Sequence, residues 1–333
     1  MVCKMEYARL GSTGMWVSRL CLGTMNFGPN TSEKEAFRIM DAALDAGINF
    51  FDCANMYGWN PHLGGRRGAT EEILGRWFAQ GGGRREKVVL STKVFARMED
   101  PNDGPNDTPG LSAYKIRRHL EASLQRMKTD HVELYYMHEY DPDCSWAELW
   151  DTLETERNAG KLFYAGASNF KARQLCYAQA EAQKRHILGL ACTQFNYNLV
   201  NRLPEEEVIP AAGELGLGCV VWSPLGGGYL TGSPLKEVTG EQRSKKYAGK
   251  LSDASRKQLE DYKKVCDDFG ASEANVALAW ILHDPRITGP IIGPRTCGQL
   301  SDLLKCAELK LPEDMINRLN DIFLSPMDLL KRQ

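Results

Sequence analysis

Short apolar runs alternate with longer amphipathic stretches along most of the chain. Residues 19–22, 48–52, 87–93, 132–138, 162–167, 189–194, 219–222 and 289–292 have strand length and composition. Between them the apolar positions recur at helical spacing over 32–46, 71–80, 112–127, 146–159, 172–184, 205–215, 255–269 and 272–283. Two further helical segments close the chain, one starting near Cys297 and one after Pro312. Ser32, with Glu35 three residues on, reads as an N-cap, and Gly47 as the stop of that helix. Residues 11–14 read as a turn ahead of the first strand. Segments 98–110 and 226–249 are polar and rich in Gly, Pro, Asp or Lys, and read as long loops.

Eight strands alternating with helices predict parallel βα units. An open doubly wound sheet and a closed barrel both satisfy that pattern, and eight units is the count of the barrel. The expectation is therefore an α/β fold, a (β/α)8 TIM barrel forming a single domain over 1–333, with long loops at the C-terminal face of the strands.

Bulk properties narrow the function. The 333 residues carry a net charge of −2, and 43% of them are hydrophobic. That balance gives no electrostatic footprint for nucleic acid or an anionic membrane. The ten cysteines form no C-x-x-C pair, and Cys21, Cys192 and Cys219 lie in apolar runs. They read as small buried hydrophobes in a reducing compartment, with no metal site. With no signal-peptide core after Met1 and no membrane-length apolar run, the expected location is cytoplasmic. The sequence leaves a homo-oligomer open.

The chemistry gathers at the strand ends. The second strand ends in Asp52, with Tyr57 five residues on; the third ends in Lys93 and the fourth in His138. Later strands run into Ser168 and Asn169, Gln194, Trp222 and Ser223, and Gly293 to Arg295. In a barrel these positions ring one mouth. Singly, each has a plain structural alternative: Asp52 as a cap, Tyr57 as a rim aromatic, Lys93 as a solvated strand end, His138 as a core histidine, Trp222 as a barrel lining.

In order, the segment FFDCANMYG at 50–58, Lys93 after LST, His138 after YYM, GASNF at 166–170, WSPLGGG at 222–228 and IGPRTCGQL at 292–300 resemble the aldo-keto reductase superfamily. The likeness runs from about Tyr7 to Leu311 and looks closest to bacterial reductases akin to potassium-channel β subunits. It implies an NADPH-dependent oxidoreductase that reduces an aldehyde or ketone to an alcohol. Tyr57 would give the carbonyl oxygen its proton. Lys93 would lower the phenol's pKa, Asp52 would pair with Lys93, and His138 would orient the substrate oxygen.

The resemblance also implies a cofactor site, NADP with NAD as the alternative. Neither G-x-G-x-x-G after the first strand nor a P-loop is present. Gly23, Thr24, Met25 and Asp52 would line the mouth; Ser168, Asn169 and Gln194 would hold the carboxamide; Trp222 would stack on the nicotinamide ring. Ser223, Pro224, Leu225, Gly226 and Gly228 would approach the pyrophosphate with backbone N–H groups. Gly293, Arg295, Thr296 and Gln299 would take the 2′-phosphate at a helix start, and Asp302 the adenine amino group. Leu303 departs from the amide that often follows this acid. Arg243 is a further candidate in the long loop, though with Lys245 and Lys246 it reads equally as a solvated basic patch.

Met25, Tyr57, Trp59, His138 and Glu139 would contact a small-molecule carbonyl substrate, with Phe27 completing an aromatic wall. His62, Leu63, Tyr140, Tyr229 and Leu230 stand in the adjoining loops. Arg66 and Arg67 read as a solvated pair, and the remaining histidines, His119 and His186 among them, as surface residues. Two rivals remain: a cofactor-binding regulatory subunit like the channel β subunits, with little turnover, and a metal-dependent barrel hydrolase.

Overall fold

The computed structural model describes residues 5–60, 62, 64–235 and 251–331. Eight parallel strands close into a barrel in the order β10–β3–β4–β5–β6–β7–β8–β9. They are β3 (Cys21–Gly23), β4 (Phe50–Asp52), β5 (Val89–Val94), β6 (Val132–Met137), β7 (Leu162–Ser168), β8 (Leu190–Asn196), β9 (Gly218–Trp222) and β10 (Gly289–Ile292). The eight strands expected from the apolar runs are all present. Around them pack α1 (Glu33–Asp45), α2 (Ala69–Phe78), α3 (Ala113–Met127), α4 (Trp146–Asn158), α5 (Ala172–Lys184), α6 (Val208–Glu214), α7 (Asp253–Phe269), α8 (Glu273–His283), α9 (Cys297–Leu304), α10 (Glu313–Ile322) and α11 (Pro326–Lys331).

Local chemistry sets the helix ends. Ser32 Oγ accepts the Glu35 N–H, and Gly47 follows the helix with φ +84°. The Glu35 carboxylate does not turn back on Ser32; it accepts from the Cys297 N–H at 2.8 Å, tying α1 to the start of α9. Ser112, Ser145 and Ser272 cap α3, α4 and α8 in the same way as Ser32.

Two cores result. One lies between strands and helices, where buried Trp77 of α2 stacks on Phe51 at 5.7 Å and donates to Asp41. The other fills the barrel itself with Cys21, Phe50, Leu134, Tyr136, Cys192 and Val220. Cys21, Cys192 and Cys219 are buried, as small hydrophobes are.

The turn at 11–14 proves to be the tip of a hairpin. β1 (Tyr7–Arg9) and β2 (Trp16–Ser18) pair antiparallel, and their three-residue strands are too short to register as a pattern. Leu10 and Val17 of this hairpin join the core inside the barrel. At Gly11, φ is +59°, and a Cβ there would come within 2.5 Å of the Gly216 carbonyl oxygen. The hairpin therefore seals the end where the strands begin. Polar residues are left to the other end, the face on which such barrels carry their sites.

Of the two long loops, the first contains a 3-10 turn, Pro101–Asn106, and the second opens with Gly226–Thr231 and Ser233–Leu235. Arg243, Lys245, Lys246 and Leu63 lie outside the described residues. Among the described residues no helix is long and apolar enough to cross a membrane.

Candidate active site

Parallel pairing sets the strand ends side by side. Gly23 is level with Asp52, Asp52 with Ser91, Lys93 with Tyr136, and Ser168 with Gln194. Side chains that alternate inward on these strands converge at the mouth. Lys93, fully buried, is their centre. Its Nζ donates to Asp52 Oδ2 at 2.6 Å, to the Cys53 carbonyl at 2.7 Å and to the Tyr57 hydroxyl at 3.2 Å. Three acceptors match the three N–H groups of an ammonium.

Asp52, also buried, is held from both sides. Its Oδ1 accepts from Ser91 Oγ at 3.0 Å and Gln194 Nε2 at 2.9 Å. Its backbone carbonyl accepts from the N–H and hydroxyl of Thr24. The tetrad expected from sequence is thus brought together. Ser91 and the Cys53 carbonyl are additions, and Gln194 braces Asp52 from across the barrel. The sequence gives little signal for these contacts: a serine mid-strand and a backbone oxygen look ordinary until the register places them.

Burial pushes the Tyr57 phenol up to about 12. Lys93 pulls against that shift, as expected, but desolvation outweighs it, so the phenol stands above its ordinary value and holds its proton. Burial also works against the Lys93 charge, yet Asp52 and Tyr57 keep its pKa above the ordinary lysine value. For His138, burial first and Lys93 second lower the pKa to about 3, so its imidazole is neutral at ordinary pH. The His138 backbone N–H is anchored on the Val94 carbonyl, and its ring meets Tyr57 edge-on at 6.1 Å between centroids.

The flanking positions sort into three groups. Asn169, with φ +61°, uses both amide N–H groups: Nδ2 donates to the His138 carbonyl and to Glu139 Oε1, and Oδ1 accepts from Trp222 Nε1 at 3.0 Å. This binds Glu139 and Trp222 into one wall of the mouth, with Ser168 buried beside it. Beyond Trp222 the backbone turns left-handed at Ser223 (φ +52°), Gly226 (+57°), Gly227 (+63°) and Gly228 (+96°). Between Ser223 and Gly226, Pro224 is buried and Leu225 half-buried.

Around the last strand, Asn26 Nδ2 holds the Gly293 carbonyl at 2.8 Å. Thr296 caps α9, Gln299 Oε1 accepts from the Arg295 N–H, and Asp302 pairs with Lys305 on the surface.

At the rim, Met25 and Trp59 are exposed as a contact surface needs, whereas Phe27 is fully buried in the core and cannot form part of a substrate wall. Tyr229 and Leu230 are buried too. The two arginines separate. Arg66 pairs with Glu72 on the surface, but Arg67 is largely buried, its guanidinium 4.7 Å from the Trp59 ring centroid and 3.6 Å from Glu99. Surface placement fails for His119, which is 5% exposed inside α3, and holds for His186.

The aldo/keto reductase family model matches residues 19–323. The chain belongs to the aldo/keto reductase family. It is 56% identical over 322 residues to the uncharacterized oxidoreductase YrpG of Bacillus subtilis, covering 97% of each chain. It is 32% identical over 314 residues to a probable voltage-gated potassium channel subunit beta of Oryza sativa, covering 92% of each. Protein tas of Escherichia coli is 30% identical over 336 residues, with 94% of this chain and 96% of that one covered. Both expected likenesses, to reductases and to channel β subunits, are therefore found, and membership of this family makes the protein a carbonyl-reducing oxidoreductase.

Proposed function

We propose that the protein reduces an aldehyde or ketone to the alcohol with NADPH, using Tyr57 as proton donor. The observation that carries this reading is the threefold hydrogen bonding of buried Lys93 to Asp52, the Cys53 carbonyl and Tyr57. A bound nicotinamide dinucleotide supplies the hydride. Tyr57, protonated at neutral pH, gives its proton to the carbonyl oxygen. The phenolate left behind is stabilised by the ammonium on the same hydroxyl, and Asp52 keeps that ammonium charged and aimed. Neutral His138 offers a ring N–H to the same oxygen, fixing the carbonyl without adding a competing positive charge.

The residues present fit the dinucleotide. Three successive left-handed glycines, Gly226 to Gly228, leave a surface that carries no Cβ, which a pyrophosphate can approach closely, while the Gly226 and Gly228 N–H groups hold the turn on the Ser223 and Leu225 carbonyls. Trp222, held by its indole N–H, presents a flat apolar face for the nicotinamide. Gln194 and Ser168 would take the carboxamide, with Asn169 sharing its amide, and Thr24 and Gly23 would line the floor. Arg295 and the start of α9 at Thr296 suit the 2′-phosphate. Asp302 would need to leave Lys305 to reach the adenine. Met25, Trp59 and Glu139 would border the substrate.

A second reading, a cofactor-binding subunit with little turnover, follows from the 32% relative named as a channel subunit. One experiment tests both: purified protein, NADPH and a panel of aldehydes and ketones, followed by NADPH absorbance. Many turnovers per protein, with Tyr57→Phe reduced by about 10²–10⁴-fold yet still binding NADPH, are expected. A stoichiometric burst alone would favour the second reading, and full activity in Tyr57→Phe would remove the proton donor.

A further inference from the structure

A buried hydrogen-bond chain runs from the loop after β5 to the turn that carries Tyr57. Asp103, 3% exposed at the 3-10 turn of that loop, accepts from Arg118 Nε at 2.8 Å and meets His119 Nε2 at 3.0 Å. On the other side of the same ring, His119 Nδ1 lies 3.3 Å from Asn55 Nδ2. Asn55 is fully buried and is the second residue of the turn in which the Tyr57 N–H bonds to the Ala54 carbonyl. Its own N–H reaches the Lys93 carbonyl at 3.3 Å.

The protonation pattern follows from the partners. The Asp103 carboxylate accepts only, so it selects the Nε2–H tautomer of His119. Nδ1 is then an acceptor, and Asn55 must offer its NH2. That orientation leaves Asn55 Oδ1 buried with no hydrogen-bond partner. Leaving a buried carbonyl unsatisfied is unfavourable, so the histidine contact overrides it. Burial lowers the His119 pKa, which favours the same neutral form. The loop itself is fixed to α3 and β5: the Thr108 carbonyl accepts from Lys115 Nζ, and the Gly110 N–H donates to the Phe95 carbonyl at 2.9 Å.

We propose that His119 and Asp103 are positioning residues for the reaction: they lock the Asn55 amide and thereby aim the Ala54–Tyr57 turn, so that the Tyr57 hydroxyl stays on Lys93. The proposal rests on Tyr57 being the proton donor. It gives the loop at 98–110 a role in turnover without contact to substrate or cofactor.

The test compares His119→Leu, which removes both ring contacts, with His119→Asn, whose Oδ1 replaces Nδ1 as the acceptor for Asn55. Turnover of an aromatic aldehyde, KM, NADPH binding by fluorescence and thermal melting are measured for each. His119→Leu should lose on the order of tenfold to a hundredfold in kcat, the scale of a misplacement within about 1 Å, with KM and NADPH binding held within about twofold. His119→Asn should recover most of that loss. Wild-type kcat in His119→Leu, or equal impairment of both variants, overturns the chain.

Should His119→Leu fail to fold, Asp103→Leu keeps roughly the volume and removes the acceptor of the His119 Nε2–H; it should lower kcat, whereas Arg118→Gln, breaking only the outer ion pair, should not. Wild-type kcat in Asp103→Leu overturns the proposal equally. Tyr57→Phe, run alongside, separates the two ideas. If it remains active, the proton donor is wrong; if it is inactive while the His119 and Asp103 variants turn over normally, only the positioning chain is wrong.

Discussion

Replacing Asp52 by Asn tests the central pair directly. Lys93 and Asp52 are 0% and 2% exposed and 2.6 Å apart. An amide at position 52 either turns its NH2 to the Lys93 ammonium, donor against donor, or keeps its oxygen there and forces Ser91 and Gln194 to turn from donating to accepting. Removing one partner of a buried pair costs about 3–5 kcal/mol. The Cys53 carbonyl and the Tyr57 hydroxyl remain on the ammonium, which places the loss near the lower end, about 3 kcal/mol. With an unfolding entropy of about 2.1 cal/mol/K per residue, a domain of 333 residues loses about 1.4 °C per kcal/mol, so Tm should fall by roughly 4 °C.

The pH dependence gives the sharper reading. In the wild type the folded pKa of Lys93 is raised. Its stabilisation is therefore complete below the unfolded value of about 10.4 and is lost only as pH rises through the folded value. Lys93 should contribute no slope between about pH 6 and 9. In Asp52→Asn, burial is no longer opposed by the carboxylate, and the folded pKa drops below the unfolded one. The unfolded chain then binds more protons, so the variant's stability should rise with pH over that window, by up to about 1.36 kcal/mol per unit. Melting curves of both proteins across the window measure it, with Asp52→Asn/Lys93→Met recovering most of the loss. A Tm deficit that stays constant with pH, and a double variant no better than the single one, would refute the reasoning.

Three other outcomes are expected. His138, held near 3 against about 6.5 when unfolded, should make the native state less stable as pH falls from about 6.5 towards 3, and melting curves of His138→Gln should lack that component of the slope. Arg295→Ala should weaken NADPH binding by about 1.5–3 kcal/mol, the worth of a hydrogen bond to a charged group, with little change for NADH; fluorescence titration that finds equal losses would show that this side chain does not read the 2′-phosphate. Gly11→Ala should lower Tm by several degrees with kcat unchanged in the protein that folds, since a side chain there meets backbone at 2.5 Å far from the mouth; unaltered melting would mean the hairpin tip is not packed as described.

The parts legible in the sequence were those governed by short-range physics. The serine cap at 32 marks a real helix start, and the apolar runs mark real strands, because both signals sit within a few residues. Strand-end placement put polar residues at one mouth, and the resemblance to aldo-keto reductases singled out the four that the structure brings together there. What was hidden depends on partners far along the chain. His119 looks like any polar helix residue until Asp103 and Asn55 arrive on either side, and Phe27 looks like a rim aromatic until the fold buries it, with Thr70 of α2 bonded to its carbonyl. The sign of the Tyr57 shift was hidden for a related reason: a lysine neighbour can be inferred from motif order, but the depth of burial that outweighs it cannot.

The sealing hairpin has a consequence for how the chain is made. Leu10 and Val17 are made before the backbone that Gly11 rests on, at Ala191, Gly216 and Gly218, which follows some 180 or more residues later. Arg19, just past the hairpin, grips the carbonyls of Leu282 and Ile287, nearly at the end of the circuit. Such distant pairings cannot form until most of the polypeptide exists, and their loop-closure cost falls on one late step. A fragment holding only the first half of the strands would keep its apolar tip uncovered, so Leu10 and Val17 have nowhere to go until the strands some 180 residues downstream have been made.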